Sequence, residues 1–359
     1  FKERMIDTVS ESFCGAKWYN ATIWLGHGGT TSCHHPPAHQ IDLEDIKENP
    51  SAIHNSRHKK KMRQMMQEGT RPKECEYCWK IEDMGKDSDG NEPVSDRVYQ
   101  TVIYEDRDLK HIAKLDYNED VNLKTCEIAF DRTCQLACSY CNPAFSSTWV
   151  KDIRTNGGYQ GIKSDARGHF IDDAPYAEPF DQGEENPYVT AFWKWWPELY
   201  KNLEVFRMTG GEPLMDPSHY KILDLLSKNG KNIEIKYATN GTTLGIKGGR
   251  TVHEYWPKFK SVAVNVSIDG LHDTYEYIRG NGKFADVEYN TKEMKKIPTV
   301  SRIVGAFTVQ ANNILQIDKV MDYFLKDMEI VFYSHRVNYP RALSAQVLPE
   351  KLKQGVIVK

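Results

Sequence analysis

One stretch constrains this chain more than any other: Asp131-Arg132-Thr133-Cys134-Gln135-Leu136-Ala137-Cys138-Ser139-Tyr140-Cys141-Asn142-Pro143. It sets three thiols at the spacing C-x3-C-x2-C directly after the β-rich run Leu123–Phe130. Thiolates so close together are soft ligands, suited to an iron–sulfur cluster or to zinc. A cubane cluster takes a thiolate on each iron, and no fourth cysteine lies beside these three. Three ligands leave one iron open, and an open metal position is where chemistry takes place. A three-cysteine zinc site completed by a histidine is the structural alternative.

From Val121 onward, short β-rich runs alternate with helical ones, which points to βα units and a parallel sheet. The expected strands are Leu123–Phe130, Leu203–Met208, Ile233–Ala238, Val262–Val266, Ile303–Gln310 and Ile330–Val337. Parallel sheets carry their sites beyond the C-terminal ends of the strands. The three-cysteine loop falls there. So do Thr209-Gly210-Gly211-Glu212-Pro213, Thr239-Asn240-Gly241 and Ser267-Ile268-Asp269-Gly270, with Tyr277-Ile278-Arg279-Gly280 after the last. Glycines in such turns let the backbone approach a ligand closely.

The cysteine spacing with Tyr140 before the third thiol, and G-G-E-P after the second strand, resemble the radical S-adenosylmethionine (SAM) superfamily. The resemblance runs from about Cys14 to Pro349 and implies a partial (β/α)6 barrel, open on one side. It implies that Cys134, Cys138 and Cys141 ligate a [4Fe–4S] cluster whose open iron is chelated by SAM, with Tyr140 alongside. It places Gly210, Gly211, Glu212 and Pro213 at the SAM amino group. Asn240 and Ser267 would face the ribose, with Asp269 beside them, and Arg279 would pair with the carboxylate through its planar fork. The bland readings are a turn asparagine, a strand-end serine and a helix-end arginine. A flavodoxin- or ferredoxin-type donor would supply the electron that cleaves SAM.

The first hundred residues hold four more cysteines. Ala21–Leu25 reads as a strand entering a Gly26-His27-Gly28-Gly29 turn, with a second strand ending at Cys33. Asp42–Lys47 and Ser51–Gly69 read as helices, the second N-capped by Ser51, with His58-Lys59-Lys60-Lys61 as a solvated face. Arg71-Pro72-Lys73-Glu74-Cys75-Glu76-Tyr77-Cys78-Trp79 adds two thiols, making four soft ligands for structural zinc or iron–sulfur. The pattern from Phe13-Cys14 through Cys33-His34 to Cys78-Trp79 resembles the twitch domain, a shortened SPASM domain, in a subfamily common in phage genomes. It implies that Cys14, Cys33, Cys75 and Cys78 hold an auxiliary [4Fe–4S] cluster, with His34, His35 or His39 as substitutes. The expected division is an auxiliary domain over 1–100, a loop at Asp87–Ser95, and a barrel domain over 101–359 with an insertion around 146–182. Phe192, Trp193, Trp195 and Trp196 read as core.

Cys126 is left over. Alternation sets it on one face with Ile128 and Phe130. If that face lines the barrel, its thiol could return a hydrogen atom to a substrate radical; otherwise it is a small buried hydrophobe.

A formal net charge of -3 argues against a nucleic-acid partner. No apolar run approaches the ~20 residues of a membrane helix. Eight cysteines, three of them in a reactive spacing in a large chain, suggest a reduced, cytoplasmic metal protein rather than a stapled secreted one. No basic-then-apolar leader opens the sequence, which fits that location, and it opens at Phe1 rather than methionine. The expected activity is abstraction of a hydrogen atom from an unactivated C–H bond. A peptide or protein substrate is expected, with oxidation, crosslinking or epimerisation as the outcome. A small sugar-like or nucleotide substrate is the alternative. The rival from another class is a non-catalytic iron–sulfur or zinc protein, against which the intact G-G-E-P and Arg279 count.

Overall fold

The computed structural model describes residues 1–159, 161, 180, 184–228 and 232–357. The chain divides into two compact units. One is Phe1–Ile128 with Gln182–Val205, and the other is Ala129–Asp181 with Phe206–Lys359.

In the first unit, β1 (Asn20–Trp24) and β2 (Gly29–Thr31) form the expected hairpin, in register Thr22↔Thr31 and Trp24↔Gly29. Its turn needs glycine, because Gly28 has φ +71° and the Tyr188 ring fills the space a Cβ would take. The strand β3 (His39–Gln40) pairs antiparallel with β2, and β4 (Thr125–Ala129) lies beside β1. Asp42 caps the helix Leu43–Glu48 by accepting the Glu44 N–H at 2.8 Å.

The expected helix over Ser51–Gly69 is broken. Asn49 caps a 3₁₀ turn at Pro50–Ile53, and the α-helix begins only at Arg57, with Ser56 rather than Ser51 as its N-cap. Ser51 instead donates its hydroxyl to Asp120 Oδ2 at 2.7 Å. The basic run is also not uniformly solvated. Helical periodicity turns Lys59 inward with Met62, Arg63 and Met66. Lys59 donates there to Thr30 Oγ1 at 2.8 Å and to the Thr31 carbonyl at 3.0 Å.

The helix Pro187–Asn202 buries Phe192, Trp195 and Trp196 in the core, while Trp193 is only half-buried. A second cluster packs Phe13, Trp18, Tyr19, Met66, Trp79 and Leu109 around Cys14, Cys75 and Cys78.

The second unit holds β5 (Ala137–Cys138), β6 (Val205–Met208), β7 (Glu234–Thr239), β8 (Ser261–Ser267), β9 (Arg279–Gly280), β10 (Val300–Val309) and β11 (Val331–Arg336). The central sheet is mostly parallel: β7, β8, β10 and β11 run side by side in that order, with β6 next to β7. Their C-terminal ends align, as the pairs Thr239↔Val266, Ser267↔Ala306 and Thr308↔His335 show.

The expected insertion opens with a helix, Ser147–Asn156, capped by Ser146 and burying Trp149, Val150 and Ile153. Nearly all of the insertion after residue 161 lies outside the described residues. No helix among the described residues is long and apolar enough to cross a membrane.

Candidate active site

The three-cysteine loop begins where β4 ends, and short local bonds shape it. Asp131 accepts the Thr133 N–H at 2.7 Å and its hydroxyl at 3.0 Å, which turns the chain toward Cys134. The N-terminus of the helix Ser147–Asn156 then holds the loop from one side. The Cys134 N–H donates to Ser147 Oγ at 3.1 Å, and Thr148 Oγ1 donates back to the Cys134 carbonyl at 2.7 Å. Trp149 Nε1 donates to the Cys138 carbonyl at 2.9 Å. From the other side β5 pairs antiparallel with β9, setting Cys138 opposite Arg279.

The G-G-E-P turn clamps the same loop. Gly210 has φ +128°, a conformation that disfavours other residues. A Cβ on Gly211 would stand 2.3 Å from the Thr133 carbonyl oxygen, so only glycine fits against this backbone. The Glu212 N–H donates to that same carbonyl at 2.7 Å. The Glu212 side chain points away, into the protein. Its carboxylate accepts the Thr239 hydroxyl at 2.6 Å, the Leu214 N–H at 3.0 Å and the Asn240 N–H at 2.7 Å. Burial pushes this carboxyl up, and the three donors oppose that. Glu212 therefore ties the end of β7 to the turn after β6.

Around Cys138 a charged network closes. Arg279 Nε donates to Asp269 Oδ2 at 2.7 Å, its terminal nitrogens to Tyr140 Oη at 2.6 Å and to Cys138 Sγ at 3.7 Å. Tyr140 donates its hydroxyl to Asp269 Oδ2 at 2.7 Å. Asp269 Oδ1 takes the Thr308 N–H at 2.8 Å, and Thr308 Oγ1 meets His335 Nε2 at 3.0 Å. The Asn240 amide nitrogen lies 3.8 Å from Cys134 Sγ, and Leu136 donates its N–H to the same sulfur at 3.5 Å. Ser267 stands half-buried at the end of β8. The sequence-predicted residues Cys134, Cys138, Tyr140, Glu212, Asn240, Asp269 and Arg279 are thus brought together. Thr308, Asn313 and His335 were missed. Asn313 donates to the carbonyls of Asp269 and Thr308, both at 2.9 Å, but Asn312-Asn313 after a strand looks like any turn.

Burial pushes the Cys134 thiol up to about 11 and raises Cys141 further. Burial raises Cys138 too, and the Arg279 guanidinium opposes it. Ligation requires thiolates, so metal binding here would displace protons. The donor set fits a negatively charged thiolate cluster, because two of its sulfurs already accept hydrogen bonds from nitrogen.

In the first unit, Cys14, Cys33, Cys75 and Cys78 line one cavity together with Lys17, His35, Asp96 and Arg97. Burial pushes Cys33, Cys75 and Cys78 up to about 12. Among the described residues no three His, Cys, Asp or Glu side chains converge on a single-ion position. The neighbouring histidines have other partners. His35 bonds to Asp96 and stacks on Tyr77 at 3.7 Å, His39 bonds to Ser56 Oγ at 2.9 Å, and His34 lies 3.9 Å from Glu127. Cys126 is fully buried in β4, and burial raises its pKa; the charges acting on its thiol are those of Lys59 and Glu127.

A parallel sheet with a three-cysteine loop at its C-terminal edge, clamped by a G-G-E-P turn, defines a class of cofactor enzyme. Residues 128–320, more than half of the chain, match the family model described as the radical SAM superfamily, and the chain belongs to it. Membership implies a [4Fe–4S] cluster and SAM. Among solved structures, SuiB of Streptococcus suis bound to S-adenosylmethionine is 15% identical, covers 93% of this chain and 67% of its own, and has a TM-score of 0.43. The anSMEcpe protein with bound AdoMet is 21% identical, covers 59% of this chain and 49% of its own, and has a TM-score of 0.39. TYW1 with a lysine-pyruvate adduct is 16% identical, with coverages of 62% and 67% and a TM-score of 0.33. The chain spans about half the length of the anSMEcpe structures it matches. No curated protein matches it.

Proposed function

We propose that Cys134, Cys138 and Cys141 hold the [4Fe–4S] cluster at which SAM is reductively cleaved, and that the chain modifies a peptide or protein. One observation carries this reading: Cys138, Tyr140, Asp269 and Arg279 share a buried network beside a loop that only Gly211 can abut. When bound, the cluster and SAM supply a 5′-deoxyadenosyl radical able to take a hydrogen atom from an unactivated C–H bond.

The chain's own residues have separable tasks. Gly210 and Gly211 offer bare main chain to the ligand's amino group, while Glu212 positions Asn240 rather than reaching the ligand itself. Asn240 donates toward Cys134 and would present the rest of its turn to a ribose. Arg279 supplies fixed positive charge beside Cys138 and would meet a carboxylate. The parallel strands would form a partial (β/α)6 barrel, open on one side.

In the same reading, Cys14, Cys33, Cys75 and Cys78 hold a second [4Fe–4S] cluster in a twitch-like domain. Closed by four thiolates, that site would carry electrons away from a substrate radical. A flavodoxin- or ferredoxin-type protein would supply the initiating electron. Oxidation, crosslinking and epimerisation are the outcomes to seek, with a sugar-like or nucleotide substrate as the alternative.

The test is anaerobic reconstitution with iron and sulfide, followed by dithionite and SAM. Formation of 5′-deoxyadenosine is expected, together with its loss in the Cys134→Ala/Cys138→Ala/Cys141→Ala variant. That variant should keep about half the iron, since two cubanes hold equal numbers of iron atoms. Deoxyadenosine from the triple variant would sink the assignment.

A further inference from the structure

The wall of the four-cysteine cavity carries an ammonium group that no ligand role requires. Lys17 sits in the four-residue helix Ala16–Tyr19, whose start is held by the Lys17 N–H donating to the Cys14 carbonyl at 3.0 Å. This places its side chain on the cavity lining, and the residue is only 2% exposed. An ammonium withdrawn from water is costly unless compensated. Among the described residues its carboxylate partner is Glu74, immediately before Cys75, and Glu74 is shared with His58 at 2.6 Å. The Glu74 carboxylate pairs with the Lys17 ammonium and compensates the charge that burial would otherwise disfavour.

The other charges around the cavity are more nearly balanced. Arg97 gives both ends of its fork to Glu82, at 2.8 and 2.7 Å, and lies 3.4 Å from Asp7. Asp96 is engaged by His35. Cluster potentials are set by net charge, hydrogen bonds to sulfur and exposure. Here the buried ammonium favours the more negative, reduced state, while burial of the site opposes it by favouring the less charged, oxidised one.

We infer that Lys17 is a tuning residue: its buried charge raises the reduction potential of the auxiliary cluster, making that cluster an electron acceptor, while Glu74 moderates the effect. This rests on the reading that Cys14, Cys33, Cys75 and Cys78 hold a [4Fe–4S] cluster.

Redox titration of the reconstituted full chain, followed by electron paramagnetic resonance, tests it. The auxiliary signal is the one that survives in the Cys134→Ala/Cys138→Ala/Cys141→Ala variant. Lys17→Met should shift its midpoint to lower potential, favouring the oxidised form about tenfold at fixed potential, or about 59 mV for one electron. Glu74→Gln should shift it upward, and Lys17→Arg should stay near the wild type. Opposite shifts from two partners of one ion pair are not what a merely structural bond would give. Equal midpoints in Lys17→Met and Glu74→Gln, or shifts of the same sign, would overturn the inference while leaving the cluster in place. Should Lys17→Met fail to fold, the upward shift in Glu74→Gln decides alone. A triple variant that binds no iron would instead remove the cluster reading, and the tuning role with it.

Discussion

Arg279 and Asp269 are locked together out of solvent, with Nε–H donating to Oδ2 at 2.7 Å. The same carboxylate holds Tyr140 and the Thr308 backbone, so one ion pair joins the cysteine loop to the ends of β8, β9 and β10. Removing one partner of a buried pair typically costs about 3–5 kcal/mol, because the other charge is left uncompensated. Asp269→Asn should therefore lower unfolding free energy by about that much in denaturant titrations. Arg279→Lys keeps the charge but loses the planar fork. Equilibrium dialysis should show SAM binding weakened by about 1–2 kcal/mol. Unchanged affinity would mean that Arg279 serves the Asp269 network alone.

Gly211→Ala tests the clamp. A methyl group 2.3 Å from the Thr133 carbonyl oxygen and 2.7 Å from the Arg132 backbone must displace the cysteine loop. Overpacking of this kind costs about 1–3 kcal/mol, and here it falls on the segment that carries the three proposed ligands. With the proposed second cubane intact, iron content after reconstitution should drop by about half. Wild-type iron content would show that the loop can shift without harm.

Glu212→Gln replaces an acceptor of three donors by a group with its own N–H pair. At least one donor among Leu214, Thr239 and Asn240 then lacks a partner. The expected loss is about 1–3 kcal/mol of stability, with weaker SAM binding because Asn240 is no longer held. A variant that loses SAM affinity but no stability would show instead that Glu212 meets the ligand directly.

Removing the second cluster should separate the halves of the reaction. If that cluster accepts the substrate's electron as proposed, Cys75→Ala/Cys78→Ala should still form 5′-deoxyadenosine but fail to complete product. Circular dichroism must accompany the assay, because a closed metal site contributes folding energy directly. Full product at the wild-type rate would make the site structural.

Acid sensitivity should appear at His219. It is 1% exposed, meets Tyr237 Oη at 2.7 Å, and burial lowers its pKa to about 3. Its ordinary value is 6.5. The unfolded chain therefore binds a proton that the folded one refuses, and stability is lost as pH falls from 6.5 toward about 3. By pH 5 the loss is on the order of 2 kcal/mol. His219→Gln cannot titrate, so its stability should fall less between pH 7 and pH 5. Parallel losses in both proteins would assign the sensitivity elsewhere.

Much of this is legible in the sequence. The spacing of Cys134, Cys138 and Cys141, the glycines of G-G-E-P and the apolar runs of β7 and β8 are local patterns. Chain geometry alone turns such patterns into a loop, a tight turn and a buried strand. Other features were not legible. Helix periodicity says that Lys59 turns toward Met62 and Met66, but not that Thr30 and Thr31 wait there to receive it. Ser51 read as the helix cap, but it bonds instead to Asp120, far along the chain, and Ser56 caps the helix.

The sequence by itself determined the thiol spacings, the order of strands and turns along the chain, and hence the superfamily. Only the tertiary structure decided where the charges went. Arg279 lies beside Cys138 because β5 and β9 pair, Glu212 faces inward to hold Asn240, and Lys17 is sealed against four thiols. The physical reason is that a thiol spacing is fixed within a few covalent bonds, whereas a charge chooses its partner through space. In a buried site, that choice depends on which distant segments exclude the water.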